Sequence, residues 1–454
     1  MGDIFMLKRK MMDLLVSWKE NTSTKKKALV IKGLRQIGKT YIVKQFADEY
    51  YENQIYINFK RNDDLKTVFD ENLDVNRILM DLSAKMPEIR LIPYKTLIIF
   101  DEIQECANAR ASIKYFVEDG RYDLVATGSL LGIRGYNKKK GKGVPTGSEH
   151  IVYMYPLDFE EFLWAKGISN EVIQYLKSCL DNKTPISKAV HESMLRYFKE
   201  YICVGGLPEA VNNFIATGDM NQVYQEQRDI LEEYKDDFGK HLDSNENEEV
   251  DEYLLARIDE VFDSIPSQLA KENKKFQYSK IKTKGRSSEY REAIQWLVDA
   301  GIVAQCFNLS NLEVPLEGNK MDNVFKLYMC DSGLFVAMLE RGTAGEILSG
   351  NLGIYKGAIF ENIIADAFTK NDRKLYYFHK DSGLEIDFIT KYKGEVTLIE
   401  VKSTSGNTKS SKIILENYAN YKVSKCIKLG EYNIGEANGI LTIPYYLAFL
   451  LQDK

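Results

Sequence analysis

The fold of the amino-terminal region is indicated by the segment ALVIKGLRQIGKT at residues 28–40. An apolar run at residues 28–31 is followed by the pattern G-x-x-x-x-G-K-T at residues 33–40 and then by a helical stretch at residues 41–50. Glycines at this spacing let the backbone curl so that its N–H groups face a phosphate. The strand before the pattern and the helix after it are the context that a phosphate-binding loop requires.

This loop predicts ATP and Mg²⁺ as cofactors. We expect Lys39 to neutralise the β and γ phosphates and the Thr40 hydroxyl to bind magnesium at the start of a helix whose dipole favours anions. The predicted nucleotide contacts in this segment are Gly33, Arg35, Gln36, Ile37, Gly38, Lys39, Thr40 and Tyr41.

Four more apolar runs follow, at residues 55–57, 96–100, 124–127 and 151–154. Apolar runs without alternation are typical of parallel strands that helices cover on both faces. Residues 1–156 are therefore predicted to form an open α/β sheet of about five strands, with ligands at the carboxyl ends of those strands.

Polar residues end three of these runs. Asp101 is predicted to hold magnesium through water, and Glu102 to orient and deprotonate the attacking water. Ser129, with Thr127, is placed to sense the γ-phosphate, unless Thr127–Ser129 only makes a turn. Asn58 ends the second run and is predicted to bridge to Glu102.

Residues 157–240 are predicted to be a helical connector, and residues 241–345 have the order of a winged helix: helix, helix, helix, hairpin. Such a module docks DNA or serves as a lid or a protein contact. Its third helix, which begins near Ser287, is not markedly basic. The lysine-rich loop at residues 137–143 is predicted to be solvated, with phosphate contact as the alternative.

The segment at residues 346–454 contains a possible second site. Glu361 lies on a predicted helix, and Asp387 and Glu400 lie on successive predicted strands. Alternation puts Glu400 and Lys402 on one face. Such carboxylates could bind magnesium, with Asp387 and Glu400 as ligands, and a lysine could activate water for phosphodiester hydrolysis. The alternative is a related fold that is kept for binding or assembly.

The first ~215 residues resemble an AAA-type P-loop ATPase family of bacteria and archaea, through G-x-R-Q-x-G-K-T, D-E-x-Q at residues 101–104 and P-L-x-F-x-E-F at residues 156–162. The resemblance implies that Gly206-Leu207-Pro208 lies over the nucleotide base, with Pro208 as a contact. The last ~100 residues resemble the uncharacterised PD-(D/E)xK nuclease-like domain of the same family, which implies a restriction-endonuclease-like α/β fold. No arginine finger is assigned, and the candidates are Arg35, Arg110, Arg121 and Arg134.

Composition limits the remaining choices. The net charge of -5 gives no global attraction to nucleic acid, and the six cysteines are scattered without a C-x-x-C pair. Reduced thiols and the lack of an apolar run of ~18 residues predict a cytoplasmic protein with no membrane partner. Two functions are left open. One is an ATPase whose tail acts on DNA or RNA; the other is a nucleotide-dependent switch whose tail binds a protein. Either could be an oligomer.

Overall fold

The computed structural model describes residues 6–21, 26–130, 147–240, 252–271, 274–282, 285–351, 355–402 and 408–452. The chain divides into two compact units, one that contains residues 8–155 and one that runs from Pro156 onward. The predicted loop at residues 137–143 and Arg134 lie outside the described residues. No helix in the described part of the chain is both long and apolar enough to cross a membrane.

The amino-terminal unit is built on a five-stranded sheet with the order β2-β3-β4-β1-β5. All of its strand pairs are parallel, which confirms the predicted parallel α/β sheet. The strands are β1 (Ala28–Gly33), β2 (Asn53–Asn58), β3 (Thr96–Asp101), β4 (Asp123–Ser129) and β5 (Glu149–Met154).

Helices cover this sheet, and every residue of β1 and β3 is buried as a result. They are α1 (Lys10–Glu20), α2 (Lys39–Tyr50), α3 (Asp63–Lys66), α4 (Val75–Lys85) and α5 (Ala107–Asp119), with 3-10 turns at Thr67–Phe69 and Ile103–Glu105. The core on one face centres on Phe100, whose ring makes edge contacts with Phe59, Phe69 and Phe116. Burial on both faces is why the strands read as unbroken apolar runs.

The carboxyl-terminal unit begins with five helices. These are α6 (Phe159–Ala165), α7 (Asn170–Asp181), α8 (Lys188–Val204), α9 (Pro208–Thr217) and α10 (Met220–Lys240). A reciprocal capping box starts α6: the Glu161 N–H donates to the Asp158 carboxylate at 2.9 Å, and the Asp158 N–H donates to the Glu161 carboxylate at 3.1 Å. This pair satisfies two donors at the helix start.

The rest of the unit alternates helices and strands. The helices are α11 (Glu252–Leu269), α12 (Tyr278–Ile281), α13 (Ser287–Asp299), α14 (Ser332–Ala337), α15 (Thr343–Ser349), α16 (Lys356–Lys370), α17 (Lys409–Glu416) and α18 (Tyr418–Tyr421), with 3-10 turns at Leu316–Asn319 and Tyr445–Leu450. The strands are β6 (Val303–Leu309), β7 (Lys320–Met329), β8 (Leu375–His379), β9 (Glu385–Tyr392), β10 (Glu395–Val401), β11 (Lys425–Gly430), β12 (Gly435–Ala437) and β13 (Ile440–Pro444).

These strands form one mixed sheet with the order β12-β13-β11-β10-β9-β8-β6-β7. The β6–β7 hairpin, which the sequence analysis assigned to a winged-helix-like domain, is the edge of this sheet because β6 pairs in parallel with β8. The predicted boundary between residues 345 and 346 therefore does not separate two sheets. A local order of helices and hairpin contains no information about which distant strand extends the hairpin.

Candidate functional site

The turn between β1 and α2 forms a loop that can receive an anion. Gln36 and Gly38 both have left-handed backbone conformations, with φ of 61° and 86°. Left-handed residues within a tight loop direct successive N–H groups toward one point. The loop also packs closely against the end of β5: a Cβ at Gly33 would lie 2.3 Å from the carbonyl oxygen of Met154. A side chain at position 33 would displace the loop or the strand.

Lys39, the first residue of α2, directs its ammonium group back into this loop. Its Nζ donates to the carbonyl oxygen of Gly33 at 3.1 Å and to that of Leu34 at 2.5 Å. Burial lowers the pKa of Lys39 to about 8, although the charges of Glu102 and Asp101 oppose that shift. Phosphate oxygens would offer this half-buried cation stronger, charge-assisted hydrogen bonds than neutral carbonyls do.

Asp101, the last residue of β3, is the acceptor at the centre of a buried hydrogen-bond cluster. Its donors lie on α2, on β2, on β4 and at the residue directly after β3. They are the Thr40 hydroxyl at 3.1 Å, the Tyr56 hydroxyl at 2.6 Å, the Asn58 side-chain amide at 2.9 Å, the Glu102 backbone N–H at 3.1 Å and the Thr127 hydroxyl. The two predicted magnesium ligands of this unit, Thr40 and Asp101, therefore meet.

Strand register explains this convergence. Asn58 lies opposite Asp101, and Phe100 lies opposite Ala126, so that Thr127 comes beside Asp101. The predicted bridge from Asn58 to Glu102 was wrong in its acceptor, because the Asn58 amide donates to Asp101 instead. Tyr56 was not anticipated, since a tyrosine inside an apolar strand gives no sign that its hydroxyl reaches the next strand.

The remaining predicted residues of this unit lie at the same edge of the sheet or on α2. Ser129 lies opposite Gly33 at the end of β4 and is buried. Glu102 has a left-handed backbone, with φ of 52°, and its carboxylate accepts from the Gln104 amide at 2.5 Å. Tyr41 is 52% exposed. The roles of Ser129, Glu102 and Tyr41 toward a nucleotide stay predictions.

Two of the four candidate arginine fingers are engaged in ion pairs. Arg110 donates to both carboxylate oxygens of Glu149 at 3.0 Å, and Arg121 pairs with Asp119 at 2.7 Å. Arg35 lies in the loop, where its charge adds to the lowering of the Lys39 pKa. These positions leave the assignment of an arginine finger open.

Pro208 is the first residue of α9, in the carboxyl-terminal unit. The turn before it is held by a buried network: the Gly206 N–H donates to Asp331 at 2.7 Å, and the Lys370 ammonium donates to Asp366 at 2.8 Å and to the Tyr201 hydroxyl at 2.9 Å. The network fixes the turn firmly. A contact between Pro208 and a nucleotide base stays a prediction.

The second group of predicted residues also converges, on β9, β10 and α16. The Asp387 carboxylate accepts from the Val401 N–H at 2.7 Å. Lys402 lies 2.5 Å from the Glu400 carboxylate and 4.0 Å from that of Asp387. Both carboxylates are buried, and the Ser411 hydroxyl donates to Glu400.

Two lysines that the sequence analysis did not single out pair with the third carboxylate, Glu361. Lys274 donates to one of its oxygens, while Lys326 lies 3.6 Å from the other, which also accepts from the Tyr328 hydroxyl at 3.0 Å. Lys326 is 1% exposed and also pairs with Glu385 at 3.4 Å. The signal for Lys326 was available: it is the one charged residue in the apolar run at residues 324–329.

Burial and the neighbouring charges shift the pKa values of Asp387 and Glu361 in opposite directions. Burial raises the pKa of Asp387 to about 7, with the negative charge of Glu361 adding to the shift. Burial also acts to raise the pKa of Glu361, but Lys274 and Lys326 outweigh it and lower that pKa to about 2. Within the described ranges, no group of three or more histidine, cysteine or acidic side chains is arranged to hold a metal ion.

Comparisons with known families agree with the first site. Residues 25–163 match the family AAA_14, described as an AAA domain. This segment is therefore an AAA-type P-loop ATPase domain, and the match supports nucleotide binding. Residues 195–344 and 356–447 match two domains of unknown function, DUF8612 and DUF4143. No curated protein matches the chain.

Several solved structures match the chain at low identity. The ORC2 protein of Aeropyrum pernix in its ADPNP-ADP complexes is 13% identical, with a TM-score of 0.36, over 77% of this chain and 95% of that one. A single-substitution variant of RuvB of Thermotoga maritima is 14% identical, with a TM-score of 0.28, over 65% and 87%. Cdc6p of Pyrobaculum aerophilum is 12% identical, with a TM-score of 0.24, over 75% and 93%.

Proposed function

We propose that the chain is a cytoplasmic, Mg²⁺-dependent ATPase that uses the loop at residues 33–40. The observation that carries the proposal is the contact between the Thr40 hydroxyl and the Asp101 carboxylate at 3.1 Å. A loop hydroxyl and a strand-end carboxylate at one point are the two groups that hold Mg²⁺ in P-loop nucleotide hydrolases. Lys39 would pair with the β and γ phosphates.

Glu102 follows Asp101 and is the group assigned to orient and deprotonate water. Its side chain is half-buried at the same edge of the sheet as the loop. Ser129, at the end of the strand between β1 and β3, is assigned to contact the γ-phosphate. Hydrolysis then needs no covalent step on the protein, since positioning and charge stabilisation account for most of phosphoryl-transfer catalysis.

The test compares phosphate release by the full chain and by Glu102→Gln. The variant should bind Mg·ATP with wild-type affinity and lose turnover by about 10²- to 10⁴-fold, the usual contribution of a general base. Glu105→Gln, the same charge change at an exposed position nearby, should keep the wild-type rate. Turnover by Glu102→Gln at the wild-type rate would show that Glu102 is not the base.

For the carboxyl-terminal unit we propose a binding role that responds to the nucleotide state, toward a protein partner. The pairing of Glu361 with Lys274 and Lys326 favours it, because a metal held by Asp387 and Glu400 could recruit Glu361 only by displacing two ammonium groups. The convergence of Asp387, Glu400 and Lys402 supports the second candidate, a metal-dependent nuclease that acts on DNA or RNA.

Addition of Mn²⁺ to the full chain in the absence of nucleotide distinguishes the protein-binding role from the nuclease role. If this unit is a metal-dependent nuclease, Mn²⁺ at a hundredfold excess over Kd should stabilise it by about 2.7 kcal/mol. The nuclease role also predicts cleavage of DNA or RNA, and that Asp387→Asn removes both effects. The binding role predicts that the melting temperature of this unit is unchanged by millimolar Mn²⁺ and that no strand is cut.

A further inference from the structure

Arg9, which lies just before α1, is buried against the phosphate-binding loop. It is 6% exposed, an unusually low value for an arginine, which is seldom fully buried without partners. Its Nη1 donates to the carbonyl oxygen of Ile37 at 2.9 Å, and its Nη2 donates to the carbonyl oxygen of Tyr155 at 2.6 Å. One guanidinium group thus joins the loop to the residue that follows β5.

The Ile37 carbonyl needs such a donor. Ile37 is fully buried between Gln36 and Gly38, both of which have positive φ. When the N–H groups of a tight loop face an anion, its carbonyl groups point elsewhere, and a buried carbonyl without a partner is costly. Arg9 satisfies this carbonyl from outside the loop. A positive charge at this place also adds to the field that an anion in the loop would meet.

The Arg9 side chain does not cap α1. The helix begins at Lys10, and the Arg9 side chain makes no capping hydrogen bond; the Met12 N–H bonds to the Arg9 backbone carbonyl. The helix is anchored separately by the buried side chains of Leu15 and Trp18. Removal of the guanidinium group therefore takes one hydrogen bond from the loop and one from Tyr155, and takes none from the cap of α1.

We propose that Arg9 is a positioning residue that holds the phosphate-binding loop in its anion-binding conformation and so sets the affinity for nucleoside di- and triphosphates. The inference rests on the proposed ATP binding and assigns one more residue to the same site. Arg9 acts through the Ile37 peptide and need not touch the nucleotide. Its effect should therefore depend on how many phosphates the ligand places in the loop.

Titration calorimetry of the full chain with ATP, ADP and AMP, in Mg²⁺, tests this. Arg9→Ala should weaken ATP and ADP binding by about tenfold to hundredfold, as expected when a buried carbonyl loses a charged donor, and should change AMP affinity less than threefold. Arg9→Lys can reach one carbonyl and should recover part of the loss. Arg77→Ala, which breaks an ion pair with Asp81 elsewhere in the same unit, should leave all three affinities unchanged.

Thermal unfolding of each variant separates positioning from folding, since affinities are compared at a temperature where every variant is folded. If folded Arg9→Ala binds ATP as the wild type does, or loses ATP and AMP affinity by the same factor, the inference is wrong. If the wild type binds no nucleotide, the proposed function fails instead.

Discussion

Asp101→Asn removes the negative charge at the centre of the candidate site but keeps the size and shape of the side chain. The carboxylate accepts hydrogen bonds at both oxygens, whereas an asparagine offers one oxygen and one NH₂ group. If the NH₂ group takes the place of Oδ2, it faces the Asn58 amide. Asn58 cannot turn to accept, because its own oxygen already accepts from the Lys60 and Arg61 N–H groups. If the NH₂ group takes the place of Oδ1, it faces the fixed Glu102 N–H.

In either orientation, the new NH₂ group therefore faces another buried hydrogen-bond donor. Such a mismatch costs about 1–3 kcal/mol, which in a unit of this size lowers the melting temperature by roughly 2–4 °C per kcal/mol. We expect Asp101→Asn to melt several degrees below the wild type. The control Asp119→Asn weakens the partly exposed pair with Arg121 and keeps an oxygen for the Arg121 backbone N–H; exposed ion pairs contribute about 0–1 kcal/mol.

The same variant tests the metal assignment. Wild-type protein should bind ATP more tightly in Mg²⁺ than in EDTA, and Asp101→Asn should lose that difference because its side chain is a weaker magnesium ligand. Thermal unfolding and calorimetry with and without Mg²⁺ measure the two effects. A variant with wild-type stability and an undiminished Mg²⁺ effect would refute both the buried network and the role of Asp101.

Two further predictions concern the carboxyl-terminal unit. At pH 8, above the pKa of Asp366, Lys370→Met leaves the Asp366 and Asp331 carboxylates buried without their cation, and we expect a loss of about 3–5 kcal/mol of unfolding free energy; Lys374→Met, at a 72% exposed side chain, should change it little in urea titrations at the same pH. Burial raises the pKa of both Asp366 and Asp387 to about 7 in the folded state, above the value of about 4 in the unfolded chain. Their contribution to stability is therefore complete below about pH 4 and is lost as the pH rises to about 7. Urea titrations at pH 5 and pH 8 should show the unit less stable at pH 8, and a stability that rises over this range would contradict the prediction.

The amino-terminal fold could be predicted because local patterns determine it. Strands buried on both faces appear as apolar runs, and parallel strands bring their carboxyl ends to one edge, so Lys39 and Asp101 could be placed together from the sequence. The predicted strand at residues 96–100 ends one residue before that of the structure. The polar partners of Asp101 were harder to predict, because the Tyr56 hydroxyl depends on the strand register rather than on any motif.

The carboxyl-terminal site could be predicted only in part. The spacing of Asp387, Glu400 and Lys402 predicted that these residues meet, because adjacent strands place them together. Lys274 lies 87 residues before Glu361, in the segment before α12. Lys326 lies 35 residues before Glu361, on β7. β6 and β7 join the sheet through contacts between residues that are far apart in the sequence. The spacing of a motif does not predict such contacts. The partners of Glu361 were therefore not predicted, although Lys326 stands out as the one charged residue in its apolar run.

Binding of ATP by residues 33–40 is measured by calorimetric titration of Mg·ATP into the wild type and into Lys39→Ala. Loss of the ammonium removes charge-assisted bonds to phosphate, each contributing about 1.5–3 kcal/mol. We expect saturation of the wild type at one ATP per chain and an affinity at least tenfold lower in the folded variant. Equal affinities for the two proteins, or no binding to the wild type, would contradict this expectation.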